Sequence, residues 1–441
     1  MIVSDHSRIA TKEHCPRERY WCYEYEGRGL ERNTLNLDAE VGSACHAVAQ
    51  DVLEAAKAHG DIQGVLARSL AANVREFREK VQHRGLSLEL AAGYEQDEEG
   101  NIAAQEGQLG MLLDVYTSWV VQIMVAWVNH RLPALLMEYE VVEVEKEEVL
   151  LMAGGELLFL ARYDALLRRH TDGELFVLNF KTVGEANQWW QEQWPLDMQT
   201  LSEVLPVEAR LGQRVSGVLI EGLVKGGKRL QYPPNSGRWW INSPLIWMWK
   251  KGGAAPFPAE YAARYEWSDD TGNHRLGKGW SKQPAWEDEL GLEGWMQWLE
   301  EHEQELVTMQ FVQLPPILRS DQACARWVAQ TEETELGIAA SAKYVQLGAM
   351  TVDAAFPMHT SSGNCIKFRG GNVETGSNSG KCNCYELCHG IAAMDPLANG
   401  YKWRDANHPK EAEVRWGAAT IQQNQSTPEQ IAAGEEATGV Q

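Results

Sequence analysis

Ala161-Arg162-Tyr163-Asp164-Ala165-Leu166-Leu167, a turn at Thr171-Asp172-Gly173, and then Val177-Leu178-Asn179-Phe180-Lys181-Thr182 form the stretch on which the reading of this chain turns. Apolar residues run through both arms, and Asp-Gly between them favours a tight reversal, so the two arms are read as a β-hairpin. Side chains alternate along a strand, which puts Asn179 and Lys181 on one face; Asp164 can lie beside them on the neighbouring strand. A carboxylate, an amide and an amine then surround one point.

Working outward, strands are expected at Glu138 to Met152, Glu156 to Arg168 and Glu174 to Thr182, followed by a helix from Leu196 to Leu211 and a strand from Arg214 to Val224. This order makes a small α/β core. Before it, apolar residues at helical spacing predict helices at Val41 to Ala58, Ile62 to Val81 and Gln105 to Met137. Ser7 is the expected cap of a first helix running through Cys15 towards Tyr25. After it, Lys225 to Gln283 is rich in Gly, Pro and Trp without clear periodicity and is read as an insertion. Helices near Trp286 to Met309 and Asp321 to Leu347 follow, then a cysteine-bearing segment and a polar tail. The expected division is therefore 1–137 helical, 138–224 core, 225–320 insertion, 321–416 helical with cysteines, and 417–441 disordered.

The chain has 441 residues, 44% of them hydrophobic, with 18 Trp, which suits a folded globular protein with a sizeable core. No apolar run is read as reaching the roughly 18 to 20 residues of a membrane span, and no signal peptide is read at the start. A cytoplasmic, soluble chain without membrane contact is expected. A net charge of −22 argues against a surface that binds nucleic acid everywhere. The charge is uneven, however. Lys225 to Lys251 carries six basic residues and no acid, interleaved with Trp239, Trp240, Trp247 and Trp249, whereas Glu287 to Glu305 carries eight acids and no Lys or Arg. A nucleic-acid strand would be drawn to the first stretch, where each exposed ring could contribute ~1–3 kcal/mol by stacking, and repelled from the second.

Eight cysteines are too few for a disulfide scaffold at this length, and clustered cysteines in a reducing compartment are more often metal ligands. Cys15 lies in Cys-Pro-Arg-Glu-Arg-Tyr near the start; Cys365, Cys382 and Cys388 lie more than three hundred residues later. A shared centre would tie the first helix to the last segment. Cys22, Cys45, Cys324 and Cys384 are read as core thiols, although Cys384 is close enough to its neighbours to compete as a ligand. Four thiolates suit zinc as well as an iron–sulfur cluster.

Together these motifs resemble the PD-(D/E)XK nucleases of the RecB-like, iron–sulfur branch, which includes the CRISPR adaptation nuclease and helicase-nuclease subunits of recombinational repair. The motifs occur in the family's order. Cys15-Pro16-Arg17 with Tyr20 is similar to the N-terminal cluster motif, and Gly42-Ser-Ala-Cys-His46 to Gly-x-x-x-His. Asp164 matches the first catalytic aspartate, Asn179-x-Lys181 the (Asp/Glu)-x-Lys pair, and Gln199 the glutamine of Gln-x-x-x-Tyr. The resemblance implies a restriction-endonuclease-like mixed sheet flanked by helices, with iron–sulfur-stapled N- and C-terminal segments. It implies a metal-dependent DNA nuclease directed at single strands or ends. Catalysis would rest on Asp164, Asn179, Lys181 and Gln199, and Mg²⁺ or Mn²⁺ on His46, Asp164 and Asn179. A structural 4Fe–4S cluster, with zinc as the alternative, would rest on Cys15, Cys365, Cys382 and Cys388. Implied partners are DNA and a protein such as a helicase, since no helicase motif is visible.

Two positions depart from the family: Asn179 stands where it has an acid, and Glu203 where it has a tyrosine. An amide oxygen can ligate a cation but brings no charge. A degenerate site, a replacement by a nearby carboxylate such as Glu140 or Glu156, and an introduced Asp-to-Asn change all fit. The alternative function is a non-catalytic DNA-binding or complex-assembly subunit that keeps the fold.

Overall fold

The computed structural model describes residues 1–33, 37–84, 117, 119–184, 186–225, 311–359, 382–390 and 394–416. The expected insertion beyond 225, its basic Trp-rich and acidic stretches, the helix near Trp286 to Met309, Cys365, the tail from 417 and most of the first part of the 105–137 helix lie outside the described residues.

A strand β1 (Ile2–Asp5) leads directly into helix α1 (His6–His14), followed by the short α2 (Pro16–Arg19), strand β2 (Leu30–Arg32) and helices α3 (Leu37–Lys57) and α4 (Ile62–Arg84). The cap of α1 is Asp5 rather than Ser7: its Oδ1 accepts the Arg8 N–H at 2.9 Å. Nor does one helix run on to Tyr25. Cys15 is extended (φ −161°, ψ 120°) and α2 restarts at Pro16, because a residue before proline is pushed out of the helical region and proline has no N–H to continue the ladder.

Helix α5 (Trp119–Glu138) passes through a π-helical turn at Trp127–Arg131. By length and composition it is apolar enough to cross a membrane, contrary to the expectation that no run reaches that length. In the fold its Trp119, Val120, Met124 and Trp127 are buried in the main core. Strands β3 (Tyr139–Met152), β4 (Leu157–Arg169) and β5 (Leu175–Val183) follow, then α6 (Gln188–Gln193), α7 (Gln199–Leu211) and β6 (Val215–Val224). Later come β7 (Phe311–Gln313), α8 (Asp321–Gln346), α9 (Val352–Ala355), α10 (Tyr385–Cys388), β8 (Tyr401–Trp403) and α11 (Pro409–Trp416).

The result is a six-stranded mixed sheet flanked by helices on both faces. Strand β3 pairs antiparallel with β4 along its length, β4 antiparallel with β5, β5 parallel with β6, and β6 antiparallel with β7. The β4–β5 reversal is the expected one: Gly173 takes φ +77°, open to glycine at no steric cost, and Asp172 Oδ1 accepts the Glu174 N–H at 3.1 Å. Alternation along β5 sorts its residues. Phe176, Leu178 and Phe180 enter the core under α3, α4 and α5, while Leu175 and Val177 enter the one under α6 and α7. Phe180 meets Trp127 edge-to-face at 5.1 Å, and truncating such a side chain to alanine costs ~3–5 kcal/mol. Its anchoring fixes which way Asn179 and Lys181 point.

Strand β1 was not anticipated. It pairs parallel with the first half of β4, Ile2 opposite Leu157 through Asp5 opposite Leu160. The N- and C-terminal segments are joined by a buried ionic network. Arg8 and Arg404 both bond Glu411 and Arg19 bonds Glu335 at 3.0 and 2.8 Å, while buried Arg17 pairs with the exposed Asp353 at its edge. Arg8, Arg19 and Arg404 also pack on the Tyr23 ring, at 4.6, 5.3 and 4.6 Å.

Candidate functional site

One edge of β4 is shared. Its first half pairs with β1 up to Leu160, and its second half pairs with β5 from Ala165 opposite Leu178. Beyond Leu178, β5 leaves β4 and stays with β6 as far as Val183. Residues 161–164 therefore border a notch between β1 and β5, and Asp164 sits where the two strands fork. Its Oδ2 accepts the Phe180 N–H at 2.6 Å, so the carboxylate takes up a backbone donor that a continuing ladder would have used.

His46 reaches the other oxygen from α3, with Nδ1 2.9 Å from Asp164 Oδ1. The approach needs Gly42: a Cβ there would lie 2.8 Å from Thr182 Oγ1, so the glycine lets α3 settle against β5. A cavity of about 390 Å³ opens at this point, lined by Gly42, His46, Glu145, Arg162, Asp164 and Thr182 among others. Burial disfavours the charged imidazole, but the Asp164 carboxylate outweighs it and holds the His46 pKa above its ordinary value. Burial works against the Asp164 carboxylate too, and is outweighed by His46, Lys181 and the Phe180 N–H, so that its pKa lies below the usual range.

On the other side of the fork Asn179 is 3% exposed, and its Nδ2 donates to Glu203 Oε2. The ionised carboxylate only accepts, so in that form the amide nitrogen faces it. Glu203 Oε1 accepts from Gln199 Nε2 at 2.8 Å. Burial pushes the Glu203 carboxyl up to about 7 despite the opposing pull of Lys181 and both amides; Asp164 adds to the rise. Lys181 Nζ lies 5.4 Å from the centre of the Trp194 ring, and its charge acts on His46, Asp164 and Glu203 alike.

The fork thus brings the five non-cysteine residues read from the sequence into one neighbourhood, as two hydrogen-bonded groups with Lys181 acting on both. Glu203 was noted only as a departure, yet Gln199 and Glu203 at i and i+4 share a helix face, a spacing that could have joined them. Glu145 was missed outright; it lies across from the fork on β3, with φ +36°, paired to Arg162 at 3.4 Å. The proposed replacements are elsewhere. Glu140 pairs with exposed Arg168 towards the far end of β4, and Glu156 is exposed at the β3–β4 turn.

Of the cysteines, Cys22 and Cys384 touch through their sulfurs at 3.5 Å, and the Cys384 N–H approaches Cys382 Sγ at 3.4 Å. Cys388 follows on α10, its N–H donating to the Cys384 carbonyl at 2.9 Å. All four share an apolar cluster with Trp21, Leu30 and Tyr401, where β2 pairs with β8. Cys15 is buried at the break between α1 and α2. Cys22 and Cys384, read as plain core thiols, are thus in contact with each other, and Cys382, read as a ligand, contacts Cys384 as well. Among the described residues, no three His, Cys, Asp or Glu side chains stand as a ready-made metal site.

No protein-family model matches the chain, and no curated protein matches it.

Proposed function

We propose that the chain is a metal-dependent DNA nuclease of the PD-(D/E)XK kind, acting on single strands or from an end, with its centre at the β4–β5 fork. The observation that carries this reading is the meeting of Asp164 and His46 beside Lys181 where β5 leaves β4. Oxygen donors from Asp164 and Asn179 with an imidazole from His46 fit a hard divalent cation, and these three residues would hold Mg²⁺ or Mn²⁺. Such an ion polarises the phosphate and acidifies a bound water. Lys181 orients that water and offsets charge on the phosphate. One ring nitrogen of His46 would have to be unprotonated to serve as a ligand, so holding the ion would favour the neutral imidazole. Gln199, expected to position the backbone, bonds Glu203.

The thiols of Cys22, Cys382 and Cys384, with Cys388 in the same cluster, have the soft-donor chemistry of an iron–sulfur or zinc centre. Its role would be structural. DNA and a helicase-like partner remain the proposed associates.

Cleavage of labelled single-stranded DNA with Mn²⁺ tests the reading, using the chain as it stands, Asn179→Asp and Lys181→Ala, all purified without oxygen. Cleavage by either of the first two, lost by roughly 10²–10³-fold in Lys181→Ala, supports it. The uncharged amide of Asn179 favours a second reading, a DNA-binding or assembly subunit without catalysis. DNA binding with no cleavage by any of the three proteins would establish that reading in place of the first.

A further inference from the structure

The puzzle at the fork is charge. Asp164 brings one carboxylate, Asn179 brings none, and the Glu145 carboxylate that also lines the cavity is paired with Arg162. A divalent ion held by one carboxylate, an imidazole and an amide would be weakly neutralised. The structure has a second carboxylate one layer behind. Glu203 is 3% exposed and bonds Asn179 through one oxygen and Gln199 through the other. It comes from the second turn of α7, directly over the face of β5 that carries Asn179 and Lys181.

Resting on the nuclease reading of this site, we infer that Glu203 is a positioning residue for the cation: in its ionised form it supplies, through the Asn179 amide, the negative charge that position 179 lacks. Its hydrogen bond commits the amide nitrogen, which leaves the oxygen as the donor atom available to a cation. A carboxylate accepting from an amide N–H draws electron density towards the amide oxygen and makes it a stronger ligand, as carboxylates do behind metal-bound imidazoles. Gln199 holds the second oxygen and fixes the carboxylate's orientation. The acid is thus present at the site but carried by a helix, with an amide between it and the ion.

This assigns Glu203 a function that packing does not require. A buried side chain serving only to satisfy Asn179 and Gln199 could be a glutamine, whose amide offers both an acceptor and a donor. A charge-bearing role predicts that the same replacement weakens the cation.

The test is Mn²⁺ affinity of the full chain, measured by the electron paramagnetic resonance of free Mn²⁺, for wild type, Glu203→Gln and the double variant Asn179→Asp/Glu203→Gln. Folding is checked by circular dichroism. Glu203→Gln is expected to weaken Mn²⁺ binding about tenfold or more, the usual range for losing a group behind a ligand. The double variant, which moves the acid onto β5, is expected to recover it. Unchanged affinity in Glu203→Gln overturns the inference, as does a double variant no better than the single one. Should Glu203→Gln not fold, Glu203→Asp is read instead, since it keeps the charge but withdraws it from Asn179: weaker Mn²⁺ binding supports the inference and wild-type affinity overturns it. The two readings separate cleanly. If the affinities follow this pattern and no protein cuts DNA, the nuclease reading fails while the role of Glu203 at the cation stands. If wild type and Glu203→Gln bind Mn²⁺ equally and wild type cuts, the reverse holds. A wild type that binds no Mn²⁺ overturns both.

Discussion

His46 Nδ1 and Asp164 Oδ1, 118 residues apart in the chain, lie 2.9 Å from each other across the mouth of the cavity at the β4–β5 fork. The raised His46 pKa and the lowered Asp164 pKa describe one interaction from its two ends. The His46 contribution to stability is fully present below the ordinary histidine value of 6.5 and is lost as pH rises through the raised one. The Asp164 contribution is present above 3.8 and is lost as pH falls through the lowered one. In metal-free protein, Asp164→Asn should therefore lower the His46 pKa, read by NMR titration of its ring proton. The stability deficit of Asp164→Asn should be largest between the two shifted values and shrink above the His46 one. An unmoved His46 titration would show that the pair does not form.

Glu203 gives a pH dependence of the opposite sense. Its carboxyl, near 4.5 when exposed, is pushed by burial up to about 7. The folded state favours the protonated form, so this stability is full below 4.5 and is lost as pH rises to about 7. The total is roughly 3 kcal/mol. In chelator-treated protein, denaturant unfolding of wild type should lose stability across that window, whereas Glu203→Gln should be flatter. Parallel curves for the two proteins would remove Glu203 from the account.

Arg19 and Glu335 tie the first helical segment to α8 through two hydrogen bonds in a buried setting. Removing one partner strands the other's charge, so Glu335→Ala should destabilise by ~3–5 kcal/mol. The lower part of that range applies, because Glu24 also bonds Arg19, at 3.1 Å. The double change Arg19→Met/Glu335→Leu should recover most of the loss, since apolar groups need no charge partner. Urea denaturation of the three proteins decides it, and a double variant as unstable as the single would mean that the ionic pair itself stabilises the fold.

If the thiols of the β2–β8 cluster hold a metal centre, Cys22→Ser and Cys384→Ser should each reduce the metal bound per chain in protein purified without oxygen, while Cys45→Ser and Cys324→Ser should not. Elemental analysis for iron and zinc, with the visible spectrum, reads the outcome. Cys15→Ser belongs in the same series, because the motif resemblance names Cys15 and the sulfur contact names Cys22. Full metal content in both Cys22→Ser and Cys384→Ser would exclude them as ligands.

Much of this architecture was written locally in the chain. The alternation that sends Phe176, Leu178 and Phe180 to one core and Asn179 and Lys181 to the other face is a property of β5 alone, as is the Asp172-Gly173 reversal. The order of three strands, a helix and a strand followed from periodicity, with the limits of those five elements within three residues, although the short α6 was not expected. What periodicity could not supply were relationships between distant segments. Ile2–Asp5 is too short to declare itself a strand, and becomes one because β4 offers it an edge. The break at Cys15 was read through as one helix although Pro16 signals it locally, whereas the contact of Cys22 with Cys384 spans 362 residues. Glu203 faced a similar limit. Its helical spacing from Gln199 lies in the sequence, but its bond to Asn179 exists because α7 packs over one face of β5, and packing is settled by the whole core rather than by any one segment. The sequence by itself determined which residues share a face; the tertiary structure decided which faces meet.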